Sequence, residues 1–176
     1  MMKQWLVFSA LAGSAAAVQA APQAAPQTIR IDAGGVELEL VDAPMDPPFE
    51  LTYRPQGRCQ PEVAITREND VTTARHIKSC HGAGDYEGTI FTLRMSAQTS
   101  FELELTAGGI TLTGAGLENY RDMRFATRVG GISGERPDLP WEKRRKWLVG
   151  AEAFAQRASG CCTLAIRVAY GGISVR

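Results

Sequence analysis

Both histidines of the chain, His76 and His81, flank Cys80, and Cys59 lies upstream, so imidazole and sulfur donors are concentrated in one stretch. Imidazole and thiolate are the ligands zinc prefers. A thiolate beside an imidazole is also the basic pairing of nucleophilic catalysis, and Asp85 and Glu87 just downstream have the chemistry of an acid–base pair. The spacing argues against each of these. Neither Cys-x-x-Cys nor His-x-x-x-His occurs, and if the chain is exported its cysteines oxidise, which removes the thiolates. Gly82-Ala83-Gly84-Asp85 has the composition of a turn, where acidic side chains are ordinarily solvated. The preferred reading is a Cys59–Cys80 disulfide closing a loop of about 20 residues, worth roughly 3 kcal/mol in the chain-entropy account, with two surface histidines. No catalytic, metal-binding or cofactor-binding residue is assigned. The alternative is a periplasmic enzyme or a redox or metal sensor built on Cys59, His76, Cys80 and His81.

The remaining cysteines are adjacent, Cys161 and Cys162. On a strand their side chains point to opposite faces, which favours a buried Cys162 beside an outward Cys161 thiol. A vicinal, redox-active bridge is the sharper alternative. Charge concentrates once, in Trp141-Glu142-Lys143-Arg144-Arg145-Lys146-Trp147. Four cations between two indoles suit an anionic envelope component, with tryptophan on a sugar face or at a membrane interface. The plainer reading is a solvated loop whose tryptophans cap the apolar core. Two apparent motifs fail on inspection. Gly131-Ile132-Ser133-Gly134-Glu135 lacks the last glycine of a nucleophile elbow, and Gly82-Ala83-Gly84 lacks the third glycine of a dinucleotide loop and precedes a strand.

The elements that must position these residues are marked by glycine pairs at Gly34-Gly35, Gly108-Gly109, Gly130-Gly131 and Gly171-Gly172. Five residues before the first glycine stand Ile29, Leu103, Phe125 and Ile166; three before stand Ile31, Leu105, Thr127 and Val168; two after stand Val36, Ile110, Ile132 and Ile173. A strand enters each pair and an apolar position leaves it, as in a repeated strand-and-corner unit. The last three pairs are about 20 and about 40 residues apart, which predicts successive turns with a further corner near Gly150.

Ser100-Phe101-Glu102-Leu103-Glu104-Leu105 running into Ala107-Gly108-Gly109-Ile110, then Arg128-Val129-Gly130-Gly131-Ile132, then Tyr170-Gly171-Gly172-Ile173-Ser174-Val175 resembles the adhesin-like, toast-rack-like β-solenoid domains of bacterial envelope proteins. The resemblance covers residues 88–176 well and the first half loosely. It implies an all-β stacked domain of unassigned function and brings no catalytic residues. The Cys59–Cys80 region and the basic insertion at 142–146 depart from it.

Lys3, the apolar run from Trp5 to Ala17, and Val18-Gln19-Ala20 have the form of a signal peptide cleaved after Ala20. Residues 21–27 read as a flexible tether and 28–176 as one β-rich domain. The 19 basic residues balance 19 acidic ones, which gives no electrostatic case for nucleic acid. Alternation predicts strands over Thr28–Val41, Phe49–Arg54, Pro61–Thr66, Val71–Lys78, Gly88–Met95, Ser100–Thr106, Met123–Val129 and Thr163–Tyr170. Trp141–Leu148 and Ala151–Ala158 hold helix formers, and the second is read as a strand. The expectation is an all-β, single-domain, non-enzymatic, periplasmic or secreted protein, without a membrane-spanning segment, that presents a rigid surface to an envelope component or a protein partner.

Overall fold

A computed structural model describes residues 25–57, 60–78, 88–134, 141–146 and 149–176. The expected signal segment, and residues 21–24 of the tether, lie outside them. The chain is all-β: β1 (Gln27–Val41), β2 (Phe49–Gln56), β3 (Glu62–Glu68), β4 (Val71–Lys78), β5 (Gly88–Ser96), β6 (Phe101–Gly114), β7 (Tyr120–Val129), β8 (Ile132–Ser133), β9 (Glu142–Lys146), β10 (Gly150–Gln156) and β11 (Cys162–Val175). These eleven strands form one sheet, and a single 3₁₀ turn at Leu117–Asn119 is the only helical element among the described residues.

The long strands β1, β6 and β11 run parallel, with Gly34 opposite Gly108 and Gly108 opposite Gly171. On the far side of β11, Tyr170 faces Val129 of β7 and Ile173 faces Ile132 of β8, which brings Gly130-Gly131 to the same level. The side-chain columns follow: Ile29, Leu103, Ile166 and Phe125 lie in one row across the sheet, all fully buried. Before the glycines the inward positions of β1 are Ile29 and Ile31; after them they are Val36, Leu38 and Leu40. Unbroken alternation from Ile31 would put Glu37 inward. The corner shifts the phase by one residue, so both halves of each long strand give their apolar sides to one core. Phe49 of β2, from the second half, meets Phe101 of β6, from the first, edge to face at 6.0 Å.

The first glycine of each pair is required for two reasons. Its φ is 134° at Gly34, 135° at Gly108, 135° at Gly130 and 138° at Gly171, in the region other residues avoid. A Cβ at Gly108 would also run into the carbonyl oxygen of Gly34, one at Gly171 into that of Gly108, and one at Gly130 into that of Gly171. The second glycine is freer. A Cβ at Gly109 comes no nearer than 3.9 Å to a neighbour, and at Gly131 it meets nothing within 4 Å.

The order of the strands in the sheet differs from their order in the chain. Across the sheet it runs β2-β5-β1-β6-β11-β7-β10-β9, so β11 lies between β6 and β7 and the sequence intervals do not measure successive turns. The physical reason is length. Past its glycines β7 continues only as the two residues of β8, which suit a sheet margin, whereas β11 is apolar on its inner face throughout and fills an interior place. Gly150 is not a fifth corner. It opens β10, which runs antiparallel to β7 and to β9, so both helix-prone stretches are strands of a hairpin.

Gly108→Ala is expected to cost about 3 kcal/mol or more, from left-handed strain plus overlap with a backbone oxygen. Gly109→Ala is expected to cost under about 1 kcal/mol. Urea unfolding of the two variants checks this, and equal losses would remove the distinction between the two glycines.

Candidate functional site

β4 pairs with the first half of β1 and β5 with its second half. The sheet therefore forks beside Gly34, and His76 of β4 lies at the fork. Asp32, two residues before the glycine pair, accepts from the His76 backbone N–H through Oδ2 at 2.7 Å, and from the Ala33 N–H through Oδ1 at 2.7 Å. Oδ1 also lies 2.7 Å from His76 Nδ1, and His76 Nε2 lies 2.7 Å from Thr89 Oγ1 of β5. With Nδ1–H donating to the carboxylate, Nε2 is left to accept the Thr89 hydroxyl proton. The imidazole also stands edge-on to Phe91 at 6.1 Å.

Asp32, His76 and Thr89 thus have the connectivity of a hydrolase triad. Their setting is that of a brace. Thr89 is 2% exposed and projects into the core on the same side of β5 as Phe91, so its hydroxyl has no room for a substrate carbonyl. Both ring nitrogens are occupied, and together the three side chains tie β4 to β5 across the fork. Of the sequence-derived cluster only His76 is placed, half-buried instead of on the surface. Cys59, Cys80, His81, Asp85 and Glu87 lie outside the described residues. Among the described residues no group of three or more His, Cys, Asp or Glu could hold a metal ion. Asp32 has one sequence cue: the equivalent positions before the other pairs are Thr106, Arg128 and Ala169. Thr89 has none.

Cys161 and Cys162 are bonded to each other, against the preferred reading of a separate buried residue and outward thiol. Cys162 is buried and Cys161 exposed. The register explains why they can still join. Cys161 precedes β11, and between Cys162, opposite Tyr120, and Thr163, opposite Asp122, the ladder shifts by a residue. Regular pleating has not yet begun there. The Cys161 N–H donates to the Asn119 carbonyl at 3.0 Å, and Cys161 borders a polar cleft with Asp42, Glu118 and Asn119. Nearby, burial pushes the Tyr120 phenol above its usual range, and it donates to the Ser96 carbonyl at 3.4 Å.

The basic segment forms a margin strand, β9, which among the described residues pairs with β10 alone. That replaces the loop assumed in either sequence reading. Trp141 packs on Phe125 with centroids 5.0 Å apart, so this indole caps the core. Lys143 Nζ reaches the Gly134 carbonyl at 2.9 Å, whereas the Arg144 guanidinium lies 5.1 Å from the Phe154 ring and bonds Glu142 at 3.2 Å. Consecutive cations therefore turn to opposite sides. The backbones of Arg145 and Lys146 pair with Ala151 and Gly150, and Trp147 lies outside the described residues. Inland from this margin the outer face carries ion pairs between neighbouring strands: Arg30 with Glu104 at 2.8 Å, Arg167 with Glu102 and Glu104, and Arg124 with Glu152 at 2.6 Å. Each exposed pair contributes little, about 0–1 kcal/mol.

His76→Ala leaves the Asp32 carboxylate and the buried Thr89 hydroxyl short of partners, and is expected to cost about 2 kcal/mol or more. Denaturant unfolding measures it; an unchanged midpoint would show that the fork holds without its brace. For the cysteines, intact protein purified under oxidising conditions and treated with iodoacetamide before reduction is expected to yield no labelled Cys161 or Cys162. Labelling of either would remove the bridge.

Among the described residues no helix is long and apolar enough to cross a membrane. No protein-family model matches the chain, and no curated protein matches it. Among solved structures, one described as a putative cell adhesion protein from Clostridium sporogenes ATCC 15579 is similar at 9% identity, over 86% of this chain and 92% of that one, with a TM-score of 0.36.

Proposed function

We propose that the chain is an exported, non-enzymatic protein of the bacterial envelope, periplasmic or secreted, that works as a rigid stacked-β surface for binding or structural support. The observation that carries this reading is the glycine column. It holds β1, β6, β11 and β7–β8 in register and so fixes the spacing of their outward side chains. A fixed array of outward side chains suits recognition, because little ordering remains to be done on contact. The histidine that offered the best enzymatic alternative is consumed by the brace at the fork.

The contact surface in this reading includes Lys143, Arg144, Arg145, Lys146 and Trp147, with Trp141 packed into the core beside Phe125. An anionic envelope component is the partner their charge would recognise, each cation near such a surface contributing on the order of 1 kcal/mol at modest ionic strength. Replacing all four cations with Ser and measuring association with anionic liposomes and envelope polysaccharide at low and high salt tests it. Native binding that fades with salt and is lost in the variant is expected. Absence of native binding, or equal binding by the variant, would reduce the segment to a charged margin that blocks edge-to-edge pairing.

A further inference from the structure

Just ahead of the glycine column the outer face dips into a cleft of about 540 Å³ that crosses β6, β11 and β7. Its cause is legible in the outward rows. One row reads Arg30, Glu104, Arg167 and then Ala126, and the next row toward the corner places the small Thr106 and Ala169 on neighbouring strands. Small side chains beside long ones leave the hollow. Val149, 57% exposed, forms a wall and is held there by its carbonyl, which accepts the Gly130 N–H at 2.6 Å. Arg128 stands at the rim, exposed and with no hydrogen-bond or ion-pair partner among the described residues. A smaller cleft bordered by Lys143 and Arg144 adjoins it at Val149. Glu104, the acidic group in the lining, is already neutralised by Arg30 and Arg167.

We infer that this cleft binds an anionic single-chain amphiphile, with the hydrocarbon chain in the hollow and a carboxylate on Arg128. The strands beneath it are paired on both sides, β7 with β10 as far as Thr127, so their amides and carbonyls there are spent in the ladder. An extended peptide laid here would bury its own amides without partners, at a cost a hydrocarbon chain does not meet. The volume lies within the range of small-molecule sites. An unpaired guanidinium is a bidentate match for a carboxylate. One unpaired guanidinium at the rim matches one carboxylate, the head group of a free fatty acid and not of a two-chain bilayer lipid. The cleft would bind such a ligand wherever the protein resides, so its test is separate from that of the envelope surface.

Binding of dansyl-undecanoic acid to the whole protein, below the probe's micelle concentration, gives a fluorescence titration. Laurate, dodecanol and anionic phospholipid vesicles then serve as competitors. Laurate is expected to displace the probe at about one-tenth the concentration dodecanol needs, the difference a charge-assisted bond supplies. Arg128→Gln should bring laurate to the level of dodecanol and leave dodecanol unchanged. Ala169→Leu and, independently, Ala126→Leu fill the hollow from outward positions and should weaken both competitors about tenfold, with circular dichroism showing each variant folded. No saturable probe binding, or full binding in a folded Leu variant, would overturn the proposal. Displacement by vesicles but not by laurate would also overturn it, and would make the face a bilayer contact instead.

Discussion

The carbonyl oxygen of one glycine occupies the space in which the next strand's Cβ would have to sit, and most of the molecule follows from that single exclusion. Gly34, Gly108, Gly171 and Gly130 are packed backbone on backbone at left-handed φ, an approach that no residue with a side chain permits. Since each corner rests on the one beside it, a strand cannot slip by a residue without placing a side chain in the column. Register, normally specified by one apolar face, is here specified twice. The phase shift at the corner extends the effect: Ile29 and Ile31 before it and Val36 and Leu38 after it reach one core, so each long strand lines two regions of a shared interior.

A column of this kind needs an end. Beneath Gly34 the neighbouring backbone is the carbonyl of Thr89, not another glycine, and beyond β1 the sheet divides between β4 and β5. Division leaves polar groups at a half-buried fork, where an incomplete network costs more than none. Asp32, His76 and Thr89 complete it, with both carboxylate oxygens and both ring nitrogens in use. The same connectivity that activates a nucleophile in a hydrolase acts here as a tie, because access decides which it is. A hydroxyl turned into the core beside Phe91 has no substrate to attack.

What could be read from the sequence tracks the range over which each constraint acts. The columns through Ile29, Leu103, Phe125 and Ile166 were legible because a corner glycine and a two-residue period are local features that repeat. The order of the strands was not, since parallel strands are joined by long connections and β11 could have been placed at a margin without altering any local pattern; only the shortness of β8 hints otherwise. His76 was visible as chemistry, but its partners are 44 and 13 residues distant, and no spacing rule joins them. Strand alternation separates adjacent cysteines, but here it begins to apply one residue too late, at the register shift after Cys162. The basic segment read as a loop because four cations dominate its composition, whereas alternation along β9 sends Lys143 and Arg144 to different sides.

Margins and interior of the sheet face water under different rules, and the distribution of charge reflects this. A margin strand exposes unpaired backbone and invites pairing with another chain, and cations along it suppress that; β9 carries four in succession. Interior strands need no such protection, so their outward positions are free to vary. Several hold mutually neutralising pairs such as Arg30 with Glu104, which cover the surface without strong affinity for anything. Near the corner Thr106, Ala126 and Ala169 leave the face bare, and there the strands are those whose register the glycine column fixes. A hollow on such a base cannot close by sliding one strand past another. Its shape exists before any ligand arrives, and a preformed cleft spends little of its contact energy on ordering itself.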